Sequence, residues 1–415
     1  MASHYSSWPS VGGELELLGF PTLSESDGKE RLLMRLFNCE ICILIYDSIP
    51  LNSSASSRSA TILSPAGTYI YSRRSQLPTT QPSDLRGRAR SLPSRRMAGA
   101  IAQQPAWAQA LAAAGLLVAA RSAARLALWL YAAFLRPAKP LRARYGAWAV
   151  VTGATDGIGR ALALELAAAG LGVVLVGRSP DKLAAVAAEV GARRPGAQTR
   201  TFVIDFAADG LASNVAALAE SIRGLDVGVL VNNAGLCYPY ARYFHEVDEA
   251  LARDLIRLNV EAVTRVTHAV LSGMVQRKRG AVVNIGSGAA TIMPSAPLYT
   301  VYAATKAYVD QFSKSLHVEY KNKGIDVQCQ APMYVATKMA SIRKASLFAP
   351  SPETYARAAV RYIGYEPRCT PHWAHTLLWF LFSVVPEPLA DRYLLGTTLS
   401  IRDRGHAKEA RKKVL

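Results

Sequence analysis

The apolar pattern divides the chain into four stretches. From Tyr145 onward, short apolar runs alternate with segments of helical period. AWAVVTGA, LGVVLVG, TRTFVIDF, VGVLVNNAG, GAVVNIGS and IDVQCQAP are compact, largely apolar and bounded by turn residues, as strands covered on both faces are. GRALALELAAAG and SPDKLAAVAAEVG carry their apolar residues at the three- and four-residue spacing of a helix. Strands alternating with helices predict an α/β fold, a doubly wound parallel sheet spanning residues 140–370.

The flanks have other patterns. Met97 to Ala120 carries no charge for 24 residues, long enough as a helix to cross an apolar core of about 30 Å. Arg121 and Arg125 then interrupt before the apolar Leu126–Leu135. An arginine at a bilayer centre costs about 2.5–3.5 kcal/mol, so both belong at an interface. The prediction for 97–139 is a membrane anchor followed by an interfacial helix, and the basic residues after it place the next domain on the cytosolic side. In 371–415, HTLLWFLFSVVP is too short to cross a membrane. It suits a segment dipping into lipid or covering an apolar pocket, with a buried closing helix as the alternative. Residues 1–96 predict a disordered extension, because Pro50 to Arg95 is rich in Ser, Arg, Pro and Thr and poor in aromatics. Glu14, Glu16, Glu25, Asp27 and Glu30 argue against a transit peptide there. Met97 has the character of a natural start, which makes the preceding stretch dispensable.

Charge changes the picture only through its placement. A net charge of +18 raises the possibility of nucleic acid. The basic residues, however, collect beside the apolar runs and at the carboxyl end: six lie between Arg121 and Arg144 without an acid. That distribution fits a membrane surface and argues against a polynucleotide groove. Five cysteines give no disulfide framework and imply a reducing compartment. Cys39 and Cys42 lack the second pair a zinc site needs, so no metal is expected.

The chemistry gathers around Tyr302-Ala-Ala-Thr-Lys306. On a helix Tyr302 and Lys306 share a face. A nearby cation favours the phenolate, so the pair predicts a phenol tuned for proton exchange with an alcohol or ketone. Tyr299 has Ala303 at the same spacing and gains no such partner. Upstream, Gly153-Ala-Thr-Asp156-Gly157-Ile158-Gly159 lies where the first strand should pass into a helix, the setting of a pyrophosphate cradle. Arg178 ends the second strand where an acid would select NAD; with Lys182 one turn on, it predicts NADPH. Asn232-Asn233-Ala234-Gly235 closes the fourth strand, with small residues suited to a backbone passing under the adenine and asparagines able to tie neighbouring strands. Asn259 is a polar residue in an apolar helix and needs a partner. Ser287, at the end of the fifth strand, points to the same carboxyl-end crevice as Tyr302.

TGxxxGIG, NNAG, the helical asparagine, the serine and YxxxK, in this order, resemble the short-chain dehydrogenase/reductase family over about 147 to 340. FHEVDE, YVDQFSKSLHVEY, GIDVQCQ and YVATKM are similar, within it, to the plant very-long-chain 3-oxoacyl-CoA reductases, relatives of the 17β-hydroxysteroid dehydrogenases. The resemblance implies NADPH-dependent reduction of a long-chain 3-oxoacyl-CoA to the 3-hydroxyacyl-CoA, at the endoplasmic reticulum membrane and beside other fatty acid elongation enzymes. It implies Tyr302 as proton donor and Ser287 as the substrate-binding group on the carbonyl oxygen. Lys306 would tune the phenol and hold the nicotinamide ribose, and Asn259 would hold a water beside Lys306. It further implies Asp205 beside the adenine, with Asn233, Val335 and Thr337 among the cofactor contacts. Lys412-Lys413-Val414-Leu415 is similar to a cytosolic dilysine retrieval signal. Two departures stand out: Pro332-Met333 replaces a common Pro-Gly, and Ser287 lies fifteen residues before Tyr302, which implies a longer loop, with Thr291 the nearer alternative. The catalytic set serves a ketosteroid reductase equally well; a non-catalytic NADPH-binding scaffold would not need Tyr302 with Lys306.

Overall fold

A computed structural model describes residues 103–414. The expectations for 1–96, and for the start of the anchor at Met97, lie outside the described residues. Helix α1 (Ala106–Leu130) continues through a π-helical turn, Tyr131–Leu135. Together they form one apolar helix of 30 residues, long enough by length and composition to cross a membrane. Arg121 and Arg125 do not divide it, in contrast to the predicted anchor and separate interfacial helix. Backbone hydrogen bonding simply runs on past both side chains, and the helix turns off only at Arg136-Pro137.

Beyond α2 (Leu141–Tyr145) the predicted alternation appears. In order come β1 (Trp148–Thr152), α3 (Gly157–Ala168), β2 (Gly172–Gly177), α4 (Pro180–Arg193), β3 (Thr199–Val203), α5 (Leu211–Ser221) and β4 (Val227–Asn232). Then α6 (Glu249–Ile256) passes through the π turn Arg257–Glu261 into α7 (Ala262–Arg277), followed by β5 (Gly280–Ile285) and the short α8 (Gly288–Thr291). The second half closes with α9 (Thr300–Tyr320), β6 (Ile325–Gln330), α10 (Pro352–Tyr362), β7 (Arg368–Cys369), α11 (Trp373–Val384) and α12 (Glu387–Val414).

The seven strands form one sheet of order β3-β2-β1-β4-β5-β6-β7, with every pairing parallel. Each face is covered. Leu162, Leu166, Leu183, Val190, Tyr355 and Val360, from α3, α4 and α10, pack one side. Leu211, Leu218, Val266, Val270 and Met274, from α5 and α7, pack the other. This double cover is why β1, β2, β4 and β5 are continuous apolar runs. β3, at the sheet edge, keeps Thr199, Arg200 and Thr201 among its five residues. The order reverses between β1 and β4, which opens a crevice at their carboxyl ends.

Two features of the carboxyl-terminal part were not foreseen. The two-residue β7 extends the sheet past the predicted six strands, too short to leave an apolar pattern. The basic tail is no loose end: it is the last part of α12, a 28-residue helix. That helix docks through Arg402 on Glu246 (Nε to Oε2, 3.1 Å) and Glu409 on Tyr240 (2.7 Å) and Arg242 (3.3 Å). α11 has one side in the protein, with Ala374 and His375 buried, and the other side open, with Leu377, Phe380, Leu381 and Val384 exposed.

Candidate active site

The crevice begins at the β1–α3 turn. Gly153 has φ of +64° and Gly157 of +52°, left-handed values that side chains disfavour. Gly159 lies so close under the turn that a Cβ there would meet the Gly153 carbonyl oxygen at 2.2 Å. Asp156 caps α3, its carboxylate accepting from the Gly157 amide at 2.8 Å and from Lys338 Nζ at 2.9 Å. These two partners hold its carboxyl below the usual range, the lysine contributing most. A bare turn leading into the positive end of a helix fits a pyrophosphate. Ile158 turns its side chain onto the core under α3.

Asn233 closes this turn from the neighbouring strand. Its amide nitrogen donates to the carbonyls of Thr152 and Gly153, both at 3.1 Å, so the side chain ties β4 to β1. The backbone amides of Asn233 and Ala234 add bonds to Thr152 Oγ1 at 3.0 Å. Asn232 reaches the other way, to Asn284 and Thr267, each at 2.8 Å. Strand tying, one of the two sequence expectations for this motif, is its observed work.

Arg178 is exposed directly after β2, and Lys182 is exposed one turn into α4. Asp205 follows β3 and makes a local turn, accepting from the Ala207 amide at 3.0 Å. Arg178 and Asp205 follow the carboxyl ends of β2 and β3, and Lys182 lies in the first turn of the helix after β2, on the β3 side of the crevice. Thr337 lies against Gly157, where a Cβ would meet its methyl at 3.3 Å. Val335 differs from the rest: its side chain is core, 3% exposed and packed with the α3 and α10 layer.

On the other side of the crevice the structure brings Ser287, Tyr302 and Lys306 together. Ser287 caps α8, and its Oγ accepts from the Ala289 amide at 3.2 Å. That leaves the hydroxyl proton for the Tyr302 phenol, beside which it stands. Thr291, the alternative, spends its hydroxyl on the Ser287 carbonyl at 3.1 Å. Tyr302 occupies the first turn of α9 and is partly buried. Lys306, one turn on, is 6% exposed and donates to the Ile285 carbonyl at the end of β5, 2.9 Å away.

The electrostatics differ from the expectation of a depressed phenol. Burial, reinforced by Cys237 and by Tyr299 and Tyr334, raises Tyr302 above the ordinary tyrosine range, and the Ser287 bond only partly offsets this. Burial also lowers Lys306, to about 8. The protein's own groups therefore keep the phenol protonated and make the lysine easy to neutralise.

Asn259 is wholly buried in the π turn between α6 and α7. Its Oδ1 accepts from the Leu236 amide at 2.8 Å, while Nδ2 donates to the Leu236 carbonyl at 2.9 Å and to Thr305 at 3.0 Å. The extra residue of a π turn re-aims one side chain out of helical phase, and here it clamps the loop after β4 to the Lys306 helix. Sequence reasoning missed Cys237, Tyr238 and Tyr334 around this centre. Tyr238 accepts the otherwise unpaired Val301 amide of α9 at 3.2 Å and lies against Tyr299, ring centroids 5.5 Å apart. Spacing in a loop carries no signal for such contacts.

A parallel sheet with this switch point, a glycine turn on one side and a Ser/Tyr/Lys cluster on the other, defines a nucleotide-dependent oxidoreductase of the α/β class. Comparison with known proteins makes this specific. The short chain dehydrogenase family matches residues 147–346. A very-long-chain 3-oxoacyl-CoA reductase-like protein of Arabidopsis thaliana is 51% identical over 278 residues, covering 66% of this chain and 88% of that protein. The very-long-chain 3-oxoacyl-CoA reductase of Rattus norvegicus is 43% identical, covering 63% of this chain and 82% of the rat protein. Among solved structures, a 7β-hydroxysteroid dehydrogenase superposes with a TM-score of 0.55 at 26% identity, covering 61% of this chain and 98% of that one. The chain belongs to the short-chain dehydrogenase family.

Proposed function

We propose that the chain reduces very-long-chain 3-oxoacyl-CoA to 3-hydroxyacyl-CoA with NADPH, at the cytosolic face of the endoplasmic reticulum membrane. The observation that carries this reading is the Tyr302 hydroxyl, beside Ser287 and one helical turn from a buried Lys306. The names of the relatives support the substrate class. The apolar helix α1 supports the membrane location.

NADPH, when bound, supplies the hydride. The turn of Gly153, Gly157 and Gly159, capped by Asp156, would hold its pyrophosphate, and Arg178 with Lys182 would meet the 2′-phosphate. Thr337 and the backbone at Val335 would border the nicotinamide side, and Asp205 the adenine. Ser287, its lone pair already engaged by the Ala289 amide, directs its proton at the ketone oxygen of the substrate. Tyr302, kept protonated by burial, gives its proton to that oxygen as charge develops there. A raised phenol suits this direction of reaction, since a reductase needs its acid loaded at neutral pH. Lys306, anchored on the Ile285 carbonyl, sets the tilt of α9 beside the ribose position. Asn259 positions Lys306 through Thr305; a water role would need a further lone pair of its Oδ1.

The test is NADPH oxidation by purified protein with a panel of long-chain 3-oxoacyl-CoA esters and ketosteroids. Turnover of the acyl-CoA esters is expected; turnover of ketosteroids alone would transfer the assignment to that class. Tyr302→Phe should lose about 10²–10⁴ in turnover, the worth of a positioned general acid, while NADPH binding persists in a fluorescence titration. Near-normal turnover would remove Tyr302 from the chemistry.

A further inference from the structure

We propose that α11 docks on the lipid surface beside the point where α1 leaves the bilayer, so that the acyl chain reaches the Tyr302 site from lipid without crossing water. The proposal rests on the reading that α1 spans the membrane. α11 holds no charged residue over WAHTLLWFLFSV. One side of it is fixed to the protein: Ala374 and His375 are buried, and the Arg368 guanidinium lies 5.3 Å over the Trp379 ring. The other side offers Leu377, Phe380, Leu381 and Val384 at a helical spacing, with Phe380 65% and Val384 60% exposed. After Pro386 the same character continues on α12 with exposed Leu389 and Tyr393, and Arg392 stands exposed between them. A contiguous apolar surface edged by a cation matches a bilayer interface.

The structure also sets where this surface lies. Phe134, in the last turn of the long apolar helix, meets Trp373 at the start of α11 with centroids 6.2 Å apart. The joint is held by Arg136 on Glu366, by Arg361 on the Arg136 carbonyl (3.1 Å) and by Tyr365 on the Pro137 carbonyl (2.8 Å). The first turn of α11 is therefore fixed against the carboxyl-terminal turn of α1. The twelve residues of α11 extend about 18 Å, too short to cross a core of about 30 Å, so the helix lies along the interface. A path inward starts from the same helix. His375 accepts from the Met333 amide (3.4 Å) and donates to the Tyr334 carbonyl (3.1 Å). Tyr334, half-exposed, follows directly on this contact in the loop after β6.

The test uses the full chain reconstituted in phosphatidylcholine vesicles containing brominated lipid, a short-range quencher of tryptophan. Phe380→Trp adds an emission that brominated lipid should quench, whereas the emission added by Val318→Trp, exposed on α9, should survive. Alkaline carbonate extraction of the same vesicles separates the two readings. Protein that resists extraction yet shows no quenching of the added emission overturns the docking of α11 and leaves the α1 anchor standing. Protein that is extracted overturns both. A face covered instead by a second copy would leave the emission unquenched and yield dimer cross-links, which also overturns the proposal. In the same vesicles Phe380→Asp should lower the ratio of kcat/KM for a long-chain over a short-chain 3-oxoacyl-CoA about tenfold, the scale of one lost aromatic burial. An unchanged ratio would remove α11 from the substrate's route.

Discussion

At the scale of single residues, the site is governed by how dry its titratable groups are. Lys306 falls to about 8 through burial, while an unfolded lysine titrates at about 10.4. Between those values the unfolded chain keeps a proton that the folded chain has released, so stability rises with pH across that window. Below pH 8 the cost of burying the charge is present in full. Lys306→Met abolishes this dependence. The melting temperature of wild type minus that of Lys306→Met, without cofactor, should rise from pH 7.5 to pH 10; a flat difference would show Lys306 to be hydrated. Arg178 provides a second residue-level test, because it is exposed and touches no core. Arg178→Asp should move the kcat/KM ratio toward NADH with little change in stability, and an unmoved ratio would deny it contact with the 2′-phosphate. Tyr302, Lys306 and Ser287 were legible in the sequence because helix periodicity and strand ends place side chains by count. Their ionisation was not legible, since it depends on what surrounds each hydroxyl and amine in three dimensions. Burial raises Tyr302 most, and Cys237 and Tyr334 add to it from loops that no periodicity describes. Asn233 shows the complementary limit: the motif located it correctly at the end of β4, yet its amide serves the Gly153 turn.

At the scale of elements, six strands and the helices between them were readable because a doubly covered parallel sheet demands long apolar runs. The exceptions have specific causes. The turn Arg257–Glu261 has an ordinary helical sequence, and its π form follows from the bonds Asn259 makes to Leu236 and Thr305. α12 was missed because its charges point to partners far along the chain, Arg402 to Glu246 and Glu409 to Arg242 and Tyr240. The Arg402 guanidinium draws Glu246 down to about 2, so this attachment persists through mildly acidic pH and weakens only as that carboxylate protonates. Gly405 is where the helix sits closest, since a Cβ there would meet Tyr240 Cγ at 2.3 Å. Replacing a helical glycine by alanine normally gains about 1 kcal/mol, whereas overpacking costs about 1–3 kcal/mol. Gly405→Ala should therefore loosen α12 despite its better helix propensity. Limited proteolysis within 387–411 should be faster in the variant, and unchanged or slower cleavage would mean the contact is slack.

At the scale of the whole molecule, the question is how an apolar helix and a folded reductase domain behave as one body. Leu135 and β1 are separated by little more than ten residues, and that connection is crowded with bonds to the far end of the fold. Arg136 holds Glu366 through both carboxylate oxygens, with the second contact at 2.9 Å. Its guanidinium also stacks over Tyr365 at 3.9 Å and Tyr362 at 4.6 Å. Lys139 bonds the Gly364 carbonyl and lies 4.5 Å over the Tyr365 ring. One cationic side chain of 10% exposure thus ties the exit of α1 to the turn between α10 and β7. Charge-assisted bonds of this kind contribute about 1.5–3 kcal/mol each to stability, more than neutral ones, because the geometry is bidentate and partly shielded from water. Desolvation of Arg136 works against that gain and Glu366 more than offsets it, leaving the guanidinium firmly charged. Arg136→Ala leaves Glu366 without its partner and removes the stacking, so a loss of about 2–3 kcal/mol follows. In detergent this should appear as a lower melting temperature, while Tyr302-dependent turnover of a short, soluble substrate continues at temperatures below the new transition. Equal stability of the variant would mean that the Arg136–Glu366 pair adds nothing to the bonds that Lys139 and Tyr365 make across the same joint.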